Sequence, residues 1–141
     1  MTDDEAFAAA EATYRSYVDA LNQVDLSDPN TFEAVYAWTT GEANAGERRL
    51  FTEMHSKRLT VSGHSTATLV VPQARSGTEV LMDVCLDVGP VDLVDESGAS
   101  VVAPDRVDLQ RMRVAATEDP GSPTGYRIGA IDGRLDGPGC V

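Results

Sequence analysis

Val80-Leu81-Met82-Asp83-Val84-Cys85-Leu86-Asp87-Val88 sets the class of this chain. Val80, Met82, Val84, Leu86 and Val88 take alternate positions, and Leu81, Asp83, Cys85 and Asp87 fill the others. A period of two is that of a strand with one face on a core. Downstream, Gly89-Pro90 breaks the strand and Val91 to Val94 resumes it. Asp95-Glu96-Ser97-Gly98 reads as a hairpin turn into Ser100-Val101-Val102. Val107 and Leu109 share one phase, whereas Met112, Val114 and Ala116 share the other, which predicts a β-bulge near Gln110-Arg111. Tyr126 to Ile131 is the last strand expected. Upstream, Thr60 to Val71 is rich in Thr and Val, and Pro72 is expected to limit it.

The period changes before Leu59. Thr2 and Glu5 have the spacing of a capping box. Phe7, Ala10, Tyr14, Tyr17, Val18 and Leu21 then form one helical stripe, predicting a helix to about Val24. Asp28 is a good N-cap with Pro29 at the first helical position, and a short helix should carry Phe32, Val35 and Tyr36 inward. A third helix is expected over roughly 42 to 58, with Leu50, Phe51 and Met54 on its buried side; Gly46 weakens its start. Helices first and antiparallel strands after them make an α+β domain. The expected architecture is three N-terminal helices packed in a curved antiparallel β-sheet, a cone with one open end and cystatin-like topology. At 141 residues the chain is one domain, 1–141.

Charge removes several classes of function. The net charge is −12, and residues 1 to 70 and 71 to 141 each contribute −6. An acidic surface repels nucleic acid and anionic membranes. No apolar run reaches the roughly 20 residues that span a bilayer, and Met1-Thr2-Asp3-Asp4-Glu5 is no signal peptide. The chain therefore reads as cytoplasmic or as a domain trimmed of an export segment.

Cys85 lies in the strand quoted above and Cys140 is the penultimate residue. They read either as two unrelated thiols or as one disulfide pinning the C-terminus to the sheet. A loop of that length would contribute about 4 kcal/mol in the chain-entropy model. A free thiol in the Gly137-Pro138-Gly139-Cys140 tail would be an oxidation liability, which leans toward the bond.

Tyr14-Arg15-Ser16-Tyr17-Val18-Asp19-Ala20-Leu21-Asn22, Asp25-Leu26-Ser27-Asp28-Pro29 and Val84-Cys85-Leu86-Asp87-Val88 carry a resemblance. With three helices ahead of a meandering sheet, the chain resembles the nuclear transport factor 2-like superfamily. More narrowly, it is similar to small actinobacterial domains that follow a lipoprotein signal. The resemblance implies an extracellular or cell-envelope location, a terminal cysteine as the partner of Cys85, and a possible homodimer through the sheet. It carries no chemistry of its own. Enzymes of the superfamily place an Asp, Tyr or His pair in the cone for proton transfer.

The residues available for such a site are few. His55 and His64 are the only histidines. His55 sits one position past the apolar stripe of the third helix, where a boundary histidine is the ordinary outcome. His64 shares a polar face with Ser62 and Thr66, which is either solvated or pocket-lining. Tyr36 and Trp38 close the second helix at the expected mouth of the cone, as packing or as an aromatic gate. These four are the ligand-pocket candidates. Asp83 and Asp87 lie about 13 Å apart along a strand, too far for acid–base partnership. Arg111 and Arg113 share a strand face and are expected to pair with acids across the sheet. No set of residues has metal-ligand spacing and no cofactor motif occurs, so no metal, no cofactor and no catalytic residue is assigned. The expectation is a binding module for a small hydrophobic ligand or an envelope protein, with a small isomerase or dehydratase and a structural dimer as alternatives.

Overall fold

The computed structural model describes residues 1–141. Helix α1 (Asp3–Leu21) opens on the expected capping box: Glu5 N–H donates to Thr2 Oγ1 at 3.1 Å, and Thr2 N–H donates to Glu5 Oε1 at 2.9 Å. Ala6, Ala10, Thr13, Tyr14, Tyr17 and Val18 form its buried stripe. The helix ends at Leu21, short of Val24. Gln23 and Val24 bond three residues back instead of four, and the Asn22 side chain is taken by Ser65, donating to its carbonyl at 2.9 Å and accepting from its N–H at 2.8 Å.

Asp28 accepts from Asn30 N–H and starts a 3₁₀ turn, Pro29–Phe32, which runs into α2 (Glu33–Ala37). Phe32, Val35 and Tyr36 are buried, as their spacing predicts. Residues 38 to 40 then dock on the last strand: Ile128 N–H donates to the Trp38 carbonyl and Thr40 N–H donates to the Ile128 carbonyl, both at 2.8 Å. Helix α3 (Gly41–Ser56) begins from that anchored point.

The strands are β1 (Thr60–Ser62), β2 (Thr66–Ser76), β3 (Glu79–Asp87), β4 (Asp92–Val94), β5 (Leu109–Glu118) and β6 (Tyr126–Gly133). β2-β3-β5-β6 form one antiparallel sheet, and β1-β4 form a separate two-stranded ribbon. The architecture is three helices against a curved antiparallel sheet, α+β, as expected. Val80, Met82, Val84 and Leu86 of β3, with Val114 and Ala116 of β5 and Tyr126 and Ile128 of β6, face the helices.

Three local expectations are corrected. Thr60 to Val71 is not one strand: Gly63-His64-Ser65 turns the chain from the ribbon into the main sheet. Pro72 does not limit β2, because β2 is an edge strand and the register shifts between Pro72 and Ala74. Residues 91 to 94 do not resume β3 but leave its sheet and pair with β1, and Ser100 makes only an isolated bridge to Val94.

The bulge also lies elsewhere. β5 pairs with β3 without interruption from Leu109 to Thr117, and Val107 is outside the strand and 67% exposed, so its phase is that of a loop. The real irregularity is opposite, where Ala115 pairs with Ala130 and Ala116 with Ile128, leaving Gly129 as the extra residue. A Cβ there would lie 2.9 Å from Thr117 Oγ1, so any larger residue at the bulge would have to displace that side chain. Its consequence is a change of phase. Tyr126 and Ile128 point inward, and beyond the bulge Ile131 does so.

Candidate functional site

Two cavities lie between the helices and the inner face of the sheet. The first has a volume of about 360 Å³ and is walled by Tyr14 and Tyr17 of α1, Ala43 and Gly46 of α3, and Met112 and Ile131 of the sheet. The second, about 310 Å³, lies toward the ribbon; Leu21, Val24, Met54, Val61, Val88 and Leu93 make most of its wall. Glu47, Leu50 and Leu86 line both. Both volumes are in the range of small-molecule sites. No arginine or lysine lines either chamber.

Glu47 is the chemical centre of this region. Arg48 and Arg49 beside it are exposed, yet the half-buried Glu47 side chain turns in and accepts a hydrogen bond from the Tyr17 hydroxyl. Burial raises the Glu47 pKa above the ordinary carboxylate value, and the Tyr17 hydrogen bond opposes that rise. Tyr17 is pushed well above the usual phenol range, first by burial and then by the Glu47 charge. The neighbouring Tyr14 is fully buried, its pKa also raised by burial, and its hydroxyl has no partner in the protein. An unpaired buried hydroxyl costs about 1–3 kcal/mol. The first chamber is thus lined by a carboxyl and the tyrosine that holds it, with Glu42 and Gln110 as further polar residues, while the unmatched Tyr14 hydroxyl is enclosed behind its wall.

The four residues proposed from sequence lie outside both chambers. Tyr36 packs in an aromatic group with Phe32 and Phe51, and the Arg48 guanidinium covers its ring at 4.1 Å. Trp38 is half-buried where α2 ends against β6. His55 is exposed, and its Nδ1 donates to the Leu26 carbonyl at 2.6 Å. His64 is exposed in the turn between β1 and β2. Glu47 was missed because its sequence context, Glu47-Arg48-Arg49, is that of a solvated helix face. Its only legible signal is its place four residues before Phe51, on the buried side of the helix. No group of three or more His, Cys, Asp or Glu side chains is placed to hold a metal ion.

The outer face of the sheet carries a different cluster. Cys85 and Cys140 form a disulfide, so the bond is present and residues 134 to 140 are strapped across β3 and β5. Asp83, 3% exposed, accepts from Arg113 Nε at 2.9 Å across the β3–β5 pair, as expected of that arginine. Arg134, 6% exposed, donates to the Met112, Val84, Asp136 and Pro138 carbonyls and lies 3.8 Å from Asp83 Oδ1. Arg111 faces the backbone of residues 135 to 137.

The sequence matches no protein-family model, and no curated protein matches it. Solved structures do. A protein of Novosphingobium aromaticivorans, named provisionally as an aromatic ring hydroxylase, superposes with a TM-score of 0.62 at 14% identity, over 96% of this chain and 94% of its own. CagV of Helicobacter pylori, a VirB8 homolog of the type IV secretion system, superposes with a TM-score of 0.54 at 7% identity, over 91% of this chain and 99% of its own. At such identities the likeness is one of fold. Three helices held in a curved antiparallel sheet, aligned end to end with these structures, make this a nuclear transport factor 2-like cone fold.

Proposed function

We propose that this protein is an exported, non-catalytic binding domain that takes a small, mostly apolar molecule into its cone. The observation that carries the reading is Glu47 turned inward to Tyr17 in the wall of an apolar cavity. Such a group weakens a purely structural core and gives a bound molecule a fixed polar contact. Export is supported by the disulfide, a bond that reducing cytoplasm disfavours, and by the resemblance to secreted actinobacterial domains; no helix is long and apolar enough to cross a membrane. The strap of residues 134 to 140 covers part of the outer sheet face, which leaves the dimer reading less surface to use.

Nile red, an uncharged dye that brightens in apolar sites, tests the reading. Saturable binding by the native protein that Gly46→Leu abolishes supports it. Gly46 lines the first chamber on a regular helix, with only the end of Arg49, at 4.0 Å, near an added Cβ. The leucine therefore fills the chamber without opposing the fold. No saturable binding, or equal binding by the variant, would overturn the reading.

A second reading has a specific observation behind it. A carboxyl with a raised pKa beside a tyrosine hydroxyl is the pairing that proton abstraction next to a carbonyl needs. Glu47 would take the proton and a tyrosine would stabilise the enolate. Deuteration of 2-indanone in heavy water, followed by NMR, separates the two. Acceleration lost in Glu47→Gln would make the domain an enzyme.

A further inference from the structure

The polar side chains of the first chamber are Glu42 and Glu47 of α3, Gln110 of β5 and the two tyrosines of α1. Their donors and acceptors are unequal in number. The one Tyr17 proton is given to Glu47, and the Tyr14 hydroxyl is enclosed. That leaves the Gln110 amide as the donor. An ionised carboxylate only accepts, and has room for about four hydrogen bonds. Glu47 receives one, from Tyr17, and Glu42 receives none from any side chain. Positive charge is missing as well. No lysine or arginine lines the chamber. Arg48, next to Glu47, is taken up by Asn44 and the Tyr36 ring. Arg49 is exposed, its tip near Gly46, and it makes no ion pair with either glutamate. Glu42 is exposed and so stands at the rim, Glu47 is half-buried further in, and Leu86, Met112 and Ile131 lie in the wall contributed by the sheet. The raised pKa of Glu47 has the same origin: burial penalises a charge that no cation offsets.

We propose that the first chamber takes an organic cation, a protonated amine carried on a small apolar skeleton. The ammonium group donates to Glu47, Glu42 adds its charge at the rim, and the skeleton lies against Leu86, Met112 and Ile131. Such a ligand brings what the lining lacks, donors and a positive charge. An alcohol of the same shape has one proton to offer and leaves the Glu47 charge without a counterion. A carboxylate or phosphate meets two like charges in the wall, and the net charge of −12 repels it before it arrives. The inference rests on the binding reading above and names its ligand class.

Three probes on one skeleton test it with the full chain. At about pH 7.5, 4-phenylbutylamine is a cation, 4-phenylbutanol is neutral and 4-phenylbutanoate is an anion. Each is titrated against ¹⁵N-labelled protein in about 0.15 M salt, which screens the general acidic field. The amide of Gly46, in the chamber wall, is followed. The amine is expected to bind about tenfold more tightly than the alcohol, as one charge-assisted contact requires, and the butanoate to shift nothing. Glu47→Gln should bring the amine down to the affinity of the alcohol and leave the alcohol unchanged. Glu42→Gln, at the exposed rim, should weaken the amine by a smaller factor, and it carries the test should Glu47→Gln lose the native amide pattern. Glu79→Gln removes the same charge from an exposed site outside the chamber and should change nothing. Equal binding of amine and alcohol, tighter binding of the butanoate, or an amine affinity that Glu79→Gln lowers as much as the chamber variants would overturn the cation site. Saturable Nile red binding in that case leaves the binding reading standing. Failure of Nile red and of all three probes removes both.

Discussion

The Tyr17 hydroxyl on α1 donates to the Glu47 carboxylate on α3, and the pair ties two helices together inside the cone. The contact joins residues 30 positions apart on two different helices. It places a titratable group where burial, not a neighbouring charge, governs its protonation.

Stability should therefore depend on pH through Glu47. Its pKa is raised in the folded state, so the folded chain holds that proton more tightly than the unfolded chain. The contribution is full below the ordinary glutamate pKa and is lost as pH rises through the raised folded value. Urea melts of the native protein and Glu47→Gln, between about pH 4 and about pH 8, should show the variant gaining relative stability as pH rises. A difference constant over that range would refute the assignment.

Tyr17→Phe removes the hydrogen bond that holds the Glu47 pKa down. It should lower stability by about 1–3 kcal/mol and steepen the same pH dependence. Nile red binding measured beside the melts would show whether the pair also contacts the ligand.

Gly46 lies in a helix interior with open space beside it. Gly46→Ala should raise stability by about 1 kcal/mol, read as a higher denaturant midpoint with unchanged slope. A loss of stability would show that the chamber wall is tighter than its geometry indicates.

Cys140→Ser opens a loop with a sequence separation of 55. The expected cost is about 4 kcal/mol, or roughly 10 °C in melting temperature for a chain of this size. Reduction of the native protein should reproduce the shift. A melting temperature unchanged by either treatment would mean that the strap does not constrain the unfolded chain.

The strap should also fail at its buried charge. Asp83→Asn leaves Arg134 without its carboxylate, although four backbone carbonyls still accept from it. Loss of one partner from a buried pair costs up to about 3–5 kcal/mol, and those carbonyls should hold the value toward the lower end. Gly137→Ala should act at the same place, because its Cβ would lie 2.6 Å from Asp83 Oδ2 and its φ is +79°. Calorimetry on both variants and their double mutant would reveal the coupling as non-additivity.

The helices were legible because their signals are local. The capping box at Thr2 and Glu5, the stripe from Ala10 to Val18 and the Asp28-Pro29 start each depend on residues within one or two turns. β3 was legible for the same reason: its period of two runs unbroken from Val80 to Leu86. The bulge was not. Val107 suggested a phase change that belongs to a loop, whereas the true bulge at Gly129 exists because Ile128 must pair with Ala116 while also bonding to residues 38 to 40. No short window of sequence contains that constraint.

The pocket followed the same rule. The histidines and the Tyr36–Trp38 pair drew attention because of their chemistry, yet His64 is exposed and Tyr36 packs in the core. Glu47 looked like one more charge beside Arg48 and Arg49 on a solvated helix face. Only the crossing of α3 over Tyr17, with β3 and β6 closing behind them, half-buries that carboxyl and gives it a raised pKa. Sequence alone determined the order of elements, the apolar faces and the absence of a basic surface, since these are properties of composition and short-range periodicity. Tertiary structure decided which strand left the sheet, where the sheet bent and which acid turned in toward Tyr17. Those outcomes depend on contacts between residues far apart in the chain, and burial is a property of the assembled fold.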